Sequence, residues 1–189
     1  MATASPSDLV LELAAARSPT LGEGRLVCVD GPAGSGKTTL GTELAQRTGA
    51  QLIHTDDLMS GWRDLAGVRR QLQPLCEELA AGRAATYEHY DWLAGRYTHF
   101  VPVPSAPWLV VEGVGSGAAT IAAYTTVLVW VEVDEELRLA RGLARDGAEL
   151  EEHWRQFMLD EQRLFARDRA CERADVVVDG TGRTSPVVR

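Results

Sequence analysis

Short, nearly continuous apolar runs alternate along the chain with stretches whose apolar positions recur at helical spacing, and each change of period marks a new element. Residues 7–17 place Leu9, Leu13 and Ala16 on one side, with Ser7 available as a cap, so the pattern predicts a leading amphipathic helix. After a loop over 18–24, RLVCVD at Arg25–Asp30 reads as the first strand; a glycine-rich turn and a helix over about 37–48 follow. Residues 50–54 give a second strand that ends in the polar run Thr55, Asp56, Asp57, and a helix over 64–81 closes at Gly82. Residues 83–105 show no period, which inside a compact domain implies a binding loop, a lid or a hairpin; Tyr87, Tyr90, Trp92, Tyr97 and Phe100 favour a binding role.

The runs WLVVE at 108–112 and TVLVWVEV at 126–133 are apolar enough for parallel strands covered on both faces, joined by a short helix near Ala118. Asp134 is expected to cap a helix reaching about Arg145, a second helix follows from 148 to near 169, and 174–178 is a fifth strand. Strands alternating with helices require right-handed crossovers, which predicts an α/β fold: a three-layer α/β/α arrangement around a parallel sheet of five strands. Ligands of such sheets lie at the carboxyl ends of the strands. Three polar clusters fall at such ends: residues 31–38, Asp56 with Asp57, and Glu112 with Gly113.

The first cluster carries specific chemistry. Residues 31–38, GPAGSGKT, match GxxxxGK[ST] between a predicted strand and a predicted helix, the context in which this pattern cradles polyphosphate. Gly31, Ala33, Gly34, Ser35 and Gly36 would offer backbone N–H groups to phosphate oxygens, and the helix start adds positive potential. Lys37 can reach the β and γ phosphates, the Thr38 hydroxyl can join the shell of Mg²⁺, and Thr39 is placed for the α-phosphate. The expected ligand is ATP with Mg²⁺; no NKxD-type guanine-reading motif is present.

Transfer of phosphate to a hydroxyl needs a carboxylate opposite the γ-phosphate, and Asp56 is the leading candidate, with Asp57 the better helix cap. Glu112 could hold Mg²⁺ through water or position the acceptor. His54 is read as a packed, hydrogen-bonded residue. Arg138, Arg141 and Arg145 share a helix face and could clamp phosphate or form a solvated face paired with Glu135 and Glu136. Arg163, Arg167 and Arg169 are weaker candidates.

Composition narrows the class. The 189 residues fit a single domain, 1–189, and 45% hydrophobic with 24% charged residues supports a packed core. A net charge of −8 and a pI near 5.0 oppose attraction to nucleic acid or anionic lipid, so a small-molecule substrate is expected. No segment has the roughly 18–20 apolar residues of a membrane span. Cys28, Cys76 and Cys171 form no CxxC pair, which suits a reducing cytoplasm; self-association into a homo-oligomer is left open. Lys37 is the sole lysine, the other 18 basic residues being arginine.

The order and spacing of these motifs resemble the uridine kinase, phosphoribulokinase and pantothenate kinase group of P-loop kinases from Arg25 to about Gly180. IHTDDL is similar to that group's strand ending in the catalytic aspartate, YDW at Tyr90–Trp92 to its acceptor-pocket YDF, and VVEGV to its FEGI strand. RLARGLARD at 138–146 is similar to its arginine-bearing lid, and RADVVVDG at 173–180 to its closing strand. The resemblance implies strand order 2-3-1-4-5 with a helical lid, Asp56 as base, and Lys37, Arg141 and Arg145 on the transferring phosphate. It also implies Thr38 and Glu112 near the metal, and Asp56, Tyr90, Trp92 and Glu112 around the acceptor. Gly95 replaces a base-reading histidine, and Leu58 or Met59 an aromatic, so the expected acceptor is a nucleoside or another small alcohol. The alternatives weighed are a nucleoside monophosphate or dephospho-coenzyme A kinase, and a nucleotide-hydrolysing switch; the loop over 83–96 has only its two terminal arginines for a charged acceptor.

Overall fold

A computed structural model describes residues 5–189. Its strands are β1 (Arg25–Asp30), β2 (Gln51–His54), β3 (Ala85–Asp91), β4 (Arg96–Val103), β5 (Trp108–Glu112), β6 (Val127–Glu132), β7 (Val176–Asp179) and β8 (Val187–Val188). Its helices are α1 (Pro6–Ala16), α2 (Lys37–Thr48), α3 (Leu65–Ala80), α4 (Glu135–Asp146), α5 (Glu151–Asp168) and α6 (Ala170–Arg173). The main sheet runs β2-β5-β1-β6-β7-β8, and its first five strands are parallel. Counting main-sheet strands alone, those five lie in the expected order 2-3-1-4-5. The sheet differs in having a sixth strand: β8 pairs antiparallel with β7, and two residues are too few to display a period. Residues 83–105 resolve into a β3–β4 hairpin, a separate two-stranded sheet.

Alternation along each strand sorts the core into two faces. Leu26, Cys28, Val111 and Leu128 point to the side covered by α3 and α5, meeting Leu72, Leu75 and Phe157. Val27, Val29, Val110 and Val129 point to the other side, where α1 and α2 supply Val10, Ala14, Leu40 and Leu44. Gly41 lets α2 sit close on the sheet: a Cβ there would press on the Glu112 side chain at 2.9 Å.

Two local expectations need correction. The cap of α1 is Ser5, not Ser7: Ser5 Oγ accepts from the Asp8 N–H at 3.1 Å, and Pro6 occupies the first helical position. Ser7 is instead buried inside the helix and bonds to Glu43, and the face turned inward is Val10 with Ala14, leaving Ala16 exposed. Asp57 caps nothing; it belongs to a 3-10 turn over Thr55–Leu58 that precedes α3 by several residues. Asp134 does cap α4, accepting from Glu136 N–H at 2.9 Å. Among the described residues no helix is long and apolar enough to cross a membrane.

Candidate active site

The carboxyl ends of β1, β2 and β5 meet at one edge, because register sets both Val29 and His54 against Glu112. Asp30 therefore opens the glycine-rich loop, His54 leads into the turn that holds Asp56, and Glu112 stands between them. A cavity of about 820 Å³ opens over this edge, near the top of the roughly 300–1,000 Å³ range of small-molecule sites.

The loop over 31–36 has a backbone only glycine tolerates at critical points. Gly34 has φ +78°, and a Cβ on it would lie 2.8 Å from the Arg138 carbonyl oxygen, so α4 packs directly on the loop. Three loop amides are already committed: Gly31 N–H donates to Asp30 Oδ1 at 2.7 Å, Ala33 N–H to Glu161 Oε2 at 2.8 Å and Ser35 N–H to the Pro32 carbonyl at 3.2 Å. Gly31 is thus part of the scaffold and Ser35 is fully buried; neither lines the cavity. What faces the cavity is Ala33, Gly34, Gly36, Lys37, Thr38 and Thr39, with Gly36 leading into the first turn of α2. The N–H groups of a first helical turn have no intrahelical acceptor, so this edge presents donors to an anion.

Lys37 is buried, and its ammonium donates to the Pro32 carbonyl at 2.8 Å. Burial lowers its affinity for a proton, while Asp30, Glu112, Glu161 and Asp56 act the other way. Thr38 Oγ1 donates to Glu112 Oε1 at 3.1 Å. The same carboxylate oxygen lies 2.5 Å from His54 Nδ1, and this bond, chiefly, raises the imidazole above its usual value. His54, read from the sequence as a packed, hydrogen-bonded residue, has the candidate metal-binding acid as its hydrogen-bond partner. Thr38 and Glu112 are hard oxygen donors, and Mg²⁺ typically takes one or two protein oxygens with the rest from phosphate and water, so the donor set fits that ion.

Asp56 lines the cavity, reached by solvent yet ringed by protein; burial raises its carboxyl above the ordinary value, and Lys37 is the first charge opposing that rise. Arg141 and Arg145 also line it. Arg141 donates to the Gly34 carbonyl at 3.2 Å, and Arg145 holds Asp146 with two bonds of 2.7 and 2.9 Å. Arg138 does not reach the cavity: it is buried on Glu161 at 2.7 Å and on the Ala33 carbonyl at 3.1 Å.

Of the loop aromatics, only Trp92 lines the cavity. Tyr90 lies behind it, edge-on to Trp92 and to Tyr97 with centroids 5.5 and 5.3 Å away, so it supports the wall without forming it. Tyr87 is packed in the core and Phe100 is exposed. The sequence reading missed three rings that do line the cavity, Trp62, Trp154 and Phe157, which come from the turn after Asp56 and from α5. It also missed Asp30 and Glu161, whose only signal was a buried acid on an otherwise apolar strand or helix face.

Residues 26–163 match the profile of the family described as AAA domain, AAA_33. A tRNA dimethylallyltransferase from Nitrobacter hamburgensis is 33% identical over 174 residues, 84% of this chain; the chain spans about half, 53%, of that relative. Among solved structures, a possible uridine kinase from Bacillus stearothermophilus superposes with a TM-score of 0.62 at 20% identity, covering 92% of this chain and 97% of that one. A candidate fructose transport system kinase from Silicibacter sp. TM1040 superposes with a TM-score of 0.53 at 24% identity, covering 89% and 92%. The fold is that of P-loop small-molecule kinases.

Proposed function

The chain belongs to the AAA domain family AAA_33, and from that starting point we propose that it transfers the γ-phosphoryl group of ATP to a hydroxyl of a small metabolite. One observation carries this reading: Asp56, a carboxylate with a raised proton affinity, lines the same cavity as Lys37 and Thr38 of the GxxxxGKT loop. Loop and first-turn amides bind the phosphates, Lys37 neutralises charge between them, and Arg141 with Arg145 stabilises the group in transfer. Asp56 takes the proton of the attacking hydroxyl. Thr38 and Glu112 would hold Mg²⁺, which when bound supplies charge neutralisation at the phosphate oxygens. His54 fixes the orientation of Glu112 through their shared bond.

A nucleoside is the acceptor class first suggested by the sequence motifs, and the kinase-like neighbours support a small acceptor without specifying it. A second reading, transfer of a small alkenyl group, is favoured by the 33% identical relative, but the net charge of −8 opposes docking of tRNA. The deciding experiment is ADP release with magnesium-ATP and a panel of nucleosides, sugars and small alcohols. Acceptor-stimulated ADP release that disappears in Asp56→Asn supports the proposal. Stimulation undiminished in Asp56→Asn removes the assigned base, and no stimulation by any acceptor removes the kinase.

A further inference from the structure

The cavity has two chemically distinct ends. One holds Lys37, Thr38, Thr39 and Arg141, and Arg145 stands between the two, its guanidinium over the Trp154 ring at 5.7 Å. The other is aromatic, and its rings form one connected wall. Trp62 sits at the centre, edge-on to Trp92 at 5.8 Å, Trp154 at 5.9 Å and Phe157 at 5.7 Å. This wall joins three separate pieces of chain: the hairpin tip, the turn after Asp56, and α5.

Two of the wall's three indole N–H groups are spent inside the protein. The Trp92 indole N–H donates to the Asp56 carbonyl at 3.0 Å, and that of Trp154 to Asp146 at 3.1 Å. What these two residues offer a ligand is ring surface. Met59, Val114 and Leu150 complete the apolar end, and Leu93 is fully exposed at the hairpin tip on the cavity's rim. Among the described lining residues there is no Asn, Gln, Ser, Tyr or His; Thr38 and Thr39, on the phosphate side, are the only neutral hydroxyl side chains. A sugar or nucleobase held against the rings would lose water from several polar groups, and the polar side chains it could meet in return are charged ones, Asp56, Glu112, Arg141, Arg145 and Asp146, several of them already bonded within the protein. A planar apolar group loses nothing of the kind and gains edge and face contacts with the rings.

We infer that the acceptor is an uncharged alcohol whose non-reacting part is an apolar aromatic ring held against the Trp62 wall; this rests on the phosphotransfer reading above. The Asp56–Trp92 bond ties the base to this wall, so a ring seated there places its hydroxyl beside the carboxylate. The hydroxyl oxygen forms a bond to the γ-phosphorus as the bond from that phosphorus to the β–γ bridging oxygen breaks. The electron pair leaves with ADP, and the hydroxyl proton passes to Asp56.

The test uses 2-phenylethanol and 2-(1-naphthyl)ethanol against uridine and fructose, with ADP release and calorimetric binding read in parallel. Expected are a kcat/KM at least about tenfold higher for the aryl alcohols than for uridine or fructose, and a comparable loss of aryl-alcohol affinity in Trp62→Ala. Trp62→Phe should recover most of that affinity, which separates a lost contact from a damaged fold. Preferential turnover of uridine or fructose would overturn the aromatic acceptor and leave the kinase standing. Aryl alcohols that bind through Trp62 but release no ADP would keep the aromatic site and remove the kinase. No aryl-alcohol binding in a wild-type protein that binds magnesium-ATP would end the inference outright.

Discussion

His54 Nδ1 lies 2.5 Å from Glu112 Oε1 across adjacent parallel strands, and that oxygen also accepts the Thr38 hydroxyl at 3.1 Å. A carboxylate can only accept, so Nδ1 carries the hydrogen, and Glu112 raises the imidazole's proton affinity in the folded protein. The native state then holds this proton more tightly than the unfolded chain. The resulting stabilisation is complete below about pH 6.5 and fades as pH rises through the raised native value. In urea titrations the wild type should exceed His54→Phe most in mild acid, with the gap narrowing as pH rises through the raised native value. A gap that does not vary with pH would mean that the pair contributes no proton linkage.

Lys37 is the only lysine, which makes its environment directly readable. An amine-reactive reagent has two targets in this chain, Lys37 and the N-terminal amine. Magnesium-ATP is expected to protect Lys37 from modification and leave the N-terminus reactive, as peptide mapping would show. Lys37→Ala should weaken magnesium-ATP binding by about tenfold or more, the loss of one charge-assisted contact or two. Unchanged modification at saturating nucleotide would place the phosphates elsewhere.

Asp56 and Thr38 should separate catalysis from binding. If Asp56 serves as base, Asp56→Asn lowers acceptor-dependent turnover by roughly 10²–10⁴-fold while magnesium-ATP affinity stays within a few fold. Thr38→Ala is expected to act oppositely, weakening ATP binding in magnesium far more than in EDTA. Calorimetry with and without the metal distinguishes the two. Equal effects in both buffers would take Thr38 away from the metal.

How much of this was legible in the sequence depended on the range of the interaction. The phosphate loop could be read because its chemistry is local: Gly34 and Gly36 need positive φ, and Lys37 and Thr38 follow at fixed offsets. Strand order came from the resemblance to known kinases, while β8 was invisible because pairing over two residues leaves no period. The Trp62 wall could not be read, since Trp62, Trp92 and Trp154 are far apart in sequence and meet only in the folded chain, where Trp62 touches the other two. His54 was read as packed and hydrogen-bonded, but its partner could not be named because a single histidine has no periodic signature. Its meaning comes from the register that sets it against Glu112. Tyr90 shows the converse: a motif-level match chose the aromatic behind the wall along with Trp92, which forms it.

Arg138 and Glu161 tie the phosphate loop to α4 and α5. Both are almost fully buried and lie 2.7 Å apart, and each also bonds Ala33, one to its carbonyl and the other to its N–H. Removing one partner strands the other's charge in the interior, so Arg138→Met should cost about 3–5 kcal/mol. The double variant Arg138→Met with Glu161→Gln should lose less than the sum of the single variants, because no unpaired charge remains. Chemical denaturation of all four proteins measures the coupling; strict additivity would show that the two groups act independently.

Asp30 offers the clearest pH signature, because opposing forces act on one buried carboxyl. It accepts N–H bonds from Gly31 at 2.7 Å, Gly115 at 2.9 Å and Gly117 at 2.8 Å, joining the phosphate loop to the loop after β5. Those bonds and the nearby Lys37 charge favour the carboxylate, yet burial outweighs them and pushes the group up to about 6. Since the native value exceeds the unfolded one of about 3.9, the folded state binds more protons between them, and stability falls as pH rises across that window. Above about pH 6 the contribution is constant. This window lies below the His54 window, so the two effects separate along a pH series. Asp30→Asn should abolish the lower slope, and it should also destabilise the protein at every pH because an amide NH₂ would face a backbone donor. Urea midpoints of the two proteins from about pH 4 to about pH 8 provide the measurement. An unaltered slope in Asp30→Asn would show that another group titrates there.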